Sequence, residues 1–254
     1  MASSTKNWDR YVSHAEEIAR SDGFLALKDQ ILELVGDSDQ LVVADVGSGT
    51  GLLTLAVAPD AQRVWAIDIS ERMCDYLKAK AGSAGLENVE TVVATAVSLP
   101  LVDDGVDVVV SNYCFHHLSD ADKHRAIAEA FRVLRPGGRF VFGDMMFKVS
   151  VANVRDRQLV ASKVRAIASR GLPGLLRIFK NVALFASGRW EKPARSDWWE
   201  AALREAGFTD IEVQPLAHEG GVAACTRPLE ADRVYRHISE CNVEEFPPAA
   251  VAHG

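Results

Sequence analysis

The stretch Val43-Ala44-Asp45-Val46-Gly47-Ser48-Gly49-Thr50-Gly51 decides how the rest of the 254-residue chain is read. An apolar run of strand length passes straight into three glycines at alternate positions, and a helical pattern follows from about Leu52. Glycines let a backbone turn sharply and approach a ligand closely, and the helix behind them offers unpaired N–H groups. Asp68 ends the next apolar run, 21 residues after Gly47, where a carboxylate can accept both hydrogen bonds of a ribose diol. A strand-to-helix turn of purely structural use needs the glycines but not that acid.

Outward from the loop, apolar runs of strand length at 41–46, 64–67, 89–94, 106–111 and 139–143 alternate with helical patterns, one opened by Ser70 and one by Ser119 with Asp122 at capping-box spacing. Strands apolar on both faces and separated by helices predict a parallel sheet covered on both sides. Pro136-Gly137-Gly138 reads as the turn into the fifth strand. Before the sheet, Phe24, Leu27, Ile31, Leu34 and Val35 recur at helical spacing and stop at Gly36; Ser196 opens a late helix closed by Gly207. The runs 208–216 and 221–226 close the chain as an antiparallel hairpin. The expectation is α/β: a Rossmann-like, seven-stranded, mostly parallel sheet, last strand antiparallel, helices on both faces. It forms a single domain over 1–254, with a helical N-terminal cap (1–40), a cofactor-binding core (41–147), a helical lid insertion (148–200), a closing helix and hairpin (201–227) and a tail (228–254).

In order, the Asp45-Val-Gly-Ser-Gly-Thr-Gly51 loop, Asp68, Leu99-Pro100, Ser111-Asn112 and Leu134-Arg-Pro-Gly-Gly138 resemble the class I S-adenosylmethionine-dependent methyltransferase superfamily over about residues 41–145. Phe115-His116-His117-Leu118 is similar to small-molecule methyltransferases of ubiquinone and menaquinone biosynthesis. The resemblance implies S-adenosyl-L-methionine as cofactor, S-adenosyl-L-homocysteine as product and a small-molecule acceptor. It implies that Gly47, Ser48, Gly49, Thr50 and Gly51 wrap the methionine part, that Asp45 orients its ammonium, and that Asp68 holds the ribose. Ile69 and Met73 would flank the adenine, and Thr95, Ala96 and Asn112 would complete the cofactor site; Thr95 stands where the family often carries an acid. Tyr11 and His14 lie in an N-terminal helical pattern that in the family commonly folds over the cofactor, and with Tyr113 and Asp144 they are the expected acceptor contacts. Asp144 reads either as a pocket acid or as a cap for a following helix.

His116 and His117 are the groups near the fourth strand end whose ordinary pKa, about 6.5, lies near neutrality, so they are the candidate catalytic bases. His117, closer to the Ser119 cap, is the preferred one; the alternative is that both only shape the pocket. An NAD(P)- or nucleotide-dependent oxidoreductase would use the same sheet, but its fingerprint places a third glycine where Leu52 stands. A non-catalytic cofactor-binding module is the other alternative.

Composition narrows the field. The 28 Lys and Arg against 35 Asp and Glu give a net charge of −7, which argues against a nucleic-acid binder. Cys74, Cys114, Cys225 and Cys241 show no metal-ligand spacing, so no metal is expected, and free thiols suit a reducing cytoplasm. With no secretory signal and no apolar run near the ~18 residues that span a bilayer, a cytoplasmic protein is expected. Within 151–200, ten basic residues face four acids, and apolar residues interleave with Arg177, Lys180 and Arg189. That segment reads as solvated helix faces, a lid lining the acceptor pocket, or a peripheral membrane contact.

Overall fold

The computed structural model describes residues 8–147, 157–158, 161–162, 164–165, 192–216 and 219–229. Seven strands, β1 (Val42–Val46), β2 (Arg63–Asp68), β3 (Val89–Val93), β4 (Val106–Asn112), β5 (Leu134–Met145), β6 (Thr209–Pro215) and β7 (Gly220–Thr226), form one sheet in the order β3-β2-β1-β4-β5-β7-β6. β1 to β5 pair in parallel, and β7 runs antiparallel between β5 and β6. The chain order reverses between β1 and β4, so the carboxyl ends of β1, β2 and β4 open a crevice beside the glycine loop, the usual ligand position on such a sheet.

Period-two alternation sorts each strand's side chains onto two faces. Val43, Val64, Val108, Val110 and Val141 pack with Leu27, Ile31 and Val35 of α2 (Asp22–Val35), which follows the short α1 (Val12–Ala19). Their neighbours Ala44, Val109, Phe140 and Phe142 pack on the other face. Ile127, Ala130 and Val133 of α5 (Asp120–Val133) and Trp199 of α6 (Ser196–Glu205) cover that second face.

Several sequence expectations hold in detail. Ser70 accepts the Met73 N–H to cap α4 (Glu71–Ser83), Ser119 does the same for the Asp122 N–H of α5, and α2 stops at Gly36 with φ +73°. Two are corrected. The helix after the glycine loop is one turn, α3 (Thr54–Val57), and its first N–H is bonded to Asp45 rather than free. Pro136-Gly137-Gly138 lies inside β5, because Leu134 already pairs with Val106 and the Gly137 N–H donates to Arg227 O beyond β7. The crossover before β4 is pinned to α5: Arg132 donates to the carbonyls of Leu99 and Leu101, and Glu129 accepts the Leu99 N–H. Most of the expected lid and the expected tail lie outside the described residues, as does Cys241. Among the described residues no helix is long and apolar enough to cross a membrane.

Candidate active site

The loop after β1 is built around left-handed glycines. Gly47, Gly49 and Gly51 have φ of +76°, +51° and +89°, a region that side chains with a Cβ avoid. A Cβ on Gly47 would sit 2.6 Å from Cys114 Cβ, and one on Gly51 would collide with Leu77 Cδ1. A Cβ on Gly49 would meet nothing within 4 Å. Two glycines thus serve packing, and the middle one faces open space at the strand ends.

Two carboxylates hold this loop. Asp68 Oδ2 accepts the Gly49 N–H and its Oδ1 the Ser70 N–H, both at 2.9 Å. Burial pushes its carboxyl above the ordinary range, although hydrogen bonds from Ser70, Gly49 and Ile69 oppose this. Asp45, buried under the loop, accepts from Thr54 N at 3.0 Å and Thr54 Oγ1 at 2.6 Å. Burial lifts it to about 6, with the Asp68 charge adding to the rise and Thr54 opposing it.

Two polar side chains beside the loop lack partners. Ser48 Oγ and both polar atoms of the Asn112 side chain are buried with no hydrogen-bond partner among the described residues. Buried polar groups are costly unless paired. A ligand offering amine, carboxylate and hydroxyl groups fits such an arrangement; an apolar one does not.

After Asn112 the backbone kinks. Tyr113 takes φ +54°, a strained conformation for a residue with a Cβ, and its ring stacks on Phe24 at 4.2 Å. The kink starts the short 3-10 turn Phe115–His117. Asp144, wholly buried at the end of β5, caps that turn by accepting the N–H groups of Phe115 at 2.6 Å and His116 at 3.1 Å. Its other oxygen lies 2.7 Å from His116 Nδ1. Cys114, between the turn and Gly47, is no thiolate nucleophile: burial, then the charges of Asp68, Asp144 and Asp45, drive its thiol far above neutrality. Tyr113 is likewise pushed up by burial and then by Glu219 and Asp144.

The N-terminal segment leans over this edge. Trp8 packs on His117 at 4.6 Å, and Asp9 accepts from Ser70 Oγ at 2.6 Å. Lys80 of α4 donates to both oxygens of Glu16 in α1, at 3.1 and 3.0 Å, and to Thr50 O in the loop at 3.3 Å. Burial raises the Glu16 carboxyl, but its hydrogen bonds to Lys80, Arg20 and Thr50 outweigh this and hold it below the ordinary range.

Of the residues expected from sequence, Asp45, Gly47 to Gly51, Asp68, Asn112, Tyr113, His116, His117 and Asp144 gather at the carboxyl ends of β1, β2, β4 and β5. Thr95 and Ala96 follow β3, next to Asp68; Thr95 Oγ1 accepts the Val97 N–H at 3.5 Å. Ile69 is 46% exposed beside Asp68, whereas Met73 is buried in α4. Tyr11 precedes α1 with its ring 6.1 Å from Trp8, and His14 points outward, 3.8 Å from Glu17. Asp144 caps the turn before it in space, not a following helix. Trp8, Phe24, Glu16 and Lys80 were missed; Trp8 was visible only as part of Trp8-Asp9-Arg10-Tyr11, and Glu16–Lys80 spans 64 positions without a local signal.

Comparison with known proteins agrees with this geometry. A methyltransferase domain family matches residues 43–138. Protein YafE of Escherichia coli K12, uncharacterised, is 36% identical over 203 residues, covering 79% of this chain and 88% of YafE. A malonyl-[acyl-carrier protein] O-methyltransferase of Methylococcus capsulatus is 42% identical over 193 residues, 74% of this chain and 60% of that protein. The chain spans 63% and 40% of the uncharacterised methyltransferases it matches in Geobacillus thermodenitrificans and Bacillus subtilis. A crystal structure of a SAM-dependent methyltransferase from Aquifex aeolicus superposes with a TM-score of 0.60 at 19% identity, covering 85% of this chain and 98% of that one, which speaks for the fold alone.

Proposed function

The chain belongs to the class I S-adenosylmethionine-dependent methyltransferase superfamily, and on that premise we propose that it moves the methyl group of S-adenosylmethionine directly onto a small-molecule acceptor at the carboxyl edge of β1, β2 and β4. The observation that carries the reading is the open side of Gly49, with Asp68 beneath its N–H and the unpartnered Ser48 and Asn112 beside it. The methyl donor, a substrate consumed in the reaction, supplies an activated carbon and its own leaving group. The chain's residues bind and orient: Asp68 for the ribose hydroxyls, Asp45, Ser48 and Asn112 for the amino-acid end, Ile69 for the base. An oxidoreductase is not favoured by the relatives found. The ubiquinone and menaquinone type of acceptor is part of this proposal and rests on Phe115-His116-His117-Leu118.

Calorimetry with S-adenosylhomocysteine and with NAD tests the reading. Binding of the first alone is expected; tight binding of NAD without the other would reject it. A second acceptor class is favoured by the Methylococcus capsulatus relative, whose name gives a malonyl group on an acyl carrier protein, methylated on oxygen. A carboxylate oxygen is then the acceptor atom. It needs no proton removed, and this separates the two readings.

A further inference from the structure

The His116 imidazole and the Asp144 carboxylate form a buried pair, at 5% and 0% exposure, where the turn after β4 meets the end of β5. Every neighbour of that carboxylate is a donor: Phe115 N and His116 N on Oδ2, and Met145 N at 2.6 Å with His116 Nδ1 at 2.7 Å on Oδ1. The ring nitrogen facing Asp144 must therefore carry the hydrogen, which leaves the lone pair of the neutral imidazole on Nε2. Among the described residues no hydrogen bond reaches Nε2.

A clip between β5 and the turn would need only the two backbone N–H groups. The added imidazole brings a desolvated polar ring into the core, beside Cys114, which itself lies against Gly47 of the donor-binding loop. His117 differs from its neighbour: its ring is held between Trp8 at 4.6 Å and His116 at 3.9 Å, and no carboxylate is seen fixing its tautomer. The sequence preference for His117 therefore gives way to His116.

Resting on the methyltransferase reading above, we infer that His116, oriented by Asp144, is the proton acceptor of the reaction, so that the methyl acceptor is a protic group, a hydroxyl, enol or thiol, and not a carboxylate already ionised. The acceptor heteroatom forms its bond to the methyl carbon as the carbon–sulfur bond breaks. The bonding pair of that bond stays on sulfur, which becomes a neutral thioether, and the heteroatom's proton passes to Nε2. The imidazolium so formed is stabilised by Asp144, and proton loss to water restores it.

Histidine ring nitrogens of the full chain with S-adenosylhomocysteine, observed by long-range proton–nitrogen NMR at about pH 8, report the tautomer directly. The expected spectrum has one ring protonated on Nδ1 and bare on Nε2, absent in His116→Gln and converted to the opposite tautomer in Asp144→Asn. A His116 protonated on Nε2 overturns the proposal. In turnover with labelled donor, catechol and malonyl-N-acetylcysteamine serve as hydroxyl and carboxylate probes. Catechol methylation should fall by about 100-fold or more in kcat in His116→Gln, with KM little changed. Methylation of the carboxylate probe at equal rates in wild type and His116→Gln would assign the pair a structural role and overturn the proposal. Failure of the wild type to bind S-adenosylhomocysteine is a separate result, which strikes at the methyltransferase reading and not at the tautomer.

Discussion

Replacing Asp45 with Asn should remove a loss of stability that the wild type suffers as the medium goes from mildly acidic to neutral. Asp45 is 1% exposed, and burial lifts its carboxyl from 3.8 to about 6. A carboxyl with a higher pKa in the folded state holds its proton more tightly there. The stabilisation from that proton is full below about pH 4 and disappears as pH rises through about 6. A difference of about two pH units, at about 1.4 kcal/mol each, gives about 3 kcal/mol, a large part of the ~5–15 kcal/mol that holds a typical domain folded. Both Thr54 bonds fall on one oxygen, Oδ2, so the Asn carbonyl can keep them while carrying no charge. Urea unfolding of both proteins at steps between about pH 4.5 and 7.5 isolates the effect as a difference between their curves. The advantage of Asp45→Asn should grow by up to about 3 kcal/mol across that interval and then level off. A difference that stays constant with pH, or grows toward acid, would refute this account of the buried carboxyl.

Asp68→Ala removes the acceptor of the Gly49 and Ser70 N–H groups, bonds worth about 1.5–3 kcal/mol each to a charged partner. Affinity for S-adenosylhomocysteine should fall at least about tenfold by calorimetry, and an unchanged affinity would mean the site lies elsewhere. Gly49→Ala should abolish that binding while shifting the melting midpoint modestly, since only about 1–2 kcal/mol of left-handed strain is added; Gly47→Ala, which collides with Cys114, should lower the midpoint further. If the two variants melt alike, the division of the loop into packing and ligand-facing glycines fails. Lys80→Met frees α1 from α4 and from Thr50 O, so stopped-flow dissociation of S-adenosylhomocysteine should quicken several-fold; an unaltered off-rate would leave the N-terminal segment without a role in retention.

What the sequence made legible is what rests on local periodicity. The strands around the loop, the Ser70 and Ser119 caps and the Gly36 stop follow from residue types within a few positions of one another. The pairing of His116 rather than His117 with a carboxylate does not, because adjacent residues in a 3-10 turn diverge in direction, and only the register of β5 beside β4 shows which one meets Asp144. Likewise, the Pro136-Gly137-Gly138 run looks like a break until β7 arrives from the far end of the chain to pair with it. The basic stretch of 151–200, read as a possible lid, lies mostly outside the described residues.

The distribution of carboxylates around the loop bears on which ligand the sheet was shaped for. In a dinucleotide-binding turn the N–H groups of the glycine loop and the helix start are left open for a pyrophosphate, a dianion. Here the Gly49 N–H is bonded to Asp68 and the Thr54 N–H to Asp45, so two of those donors are taken by acids. Asp45 and Asp68 each raise the cost of ionising the other groups nearby, as the Cys114 thiol registers from both of them and from Asp144. Bringing a pyrophosphate into that field would add like charge at close range in a partly desolvated crevice, where repulsion is weakly screened. A ligand carrying a sulfonium and an ammonium meets the opposite situation, because its positive charges relieve the strain among the acids. The roughly 3 kcal/mol that an ionised Asp45 costs the empty fold is then returned in part when the cation arrives. This couples the stability argument to the choice of substrate: the same buried acid that weakens the free protein near neutral pH selects a cationic methyl donor over a dinucleotide.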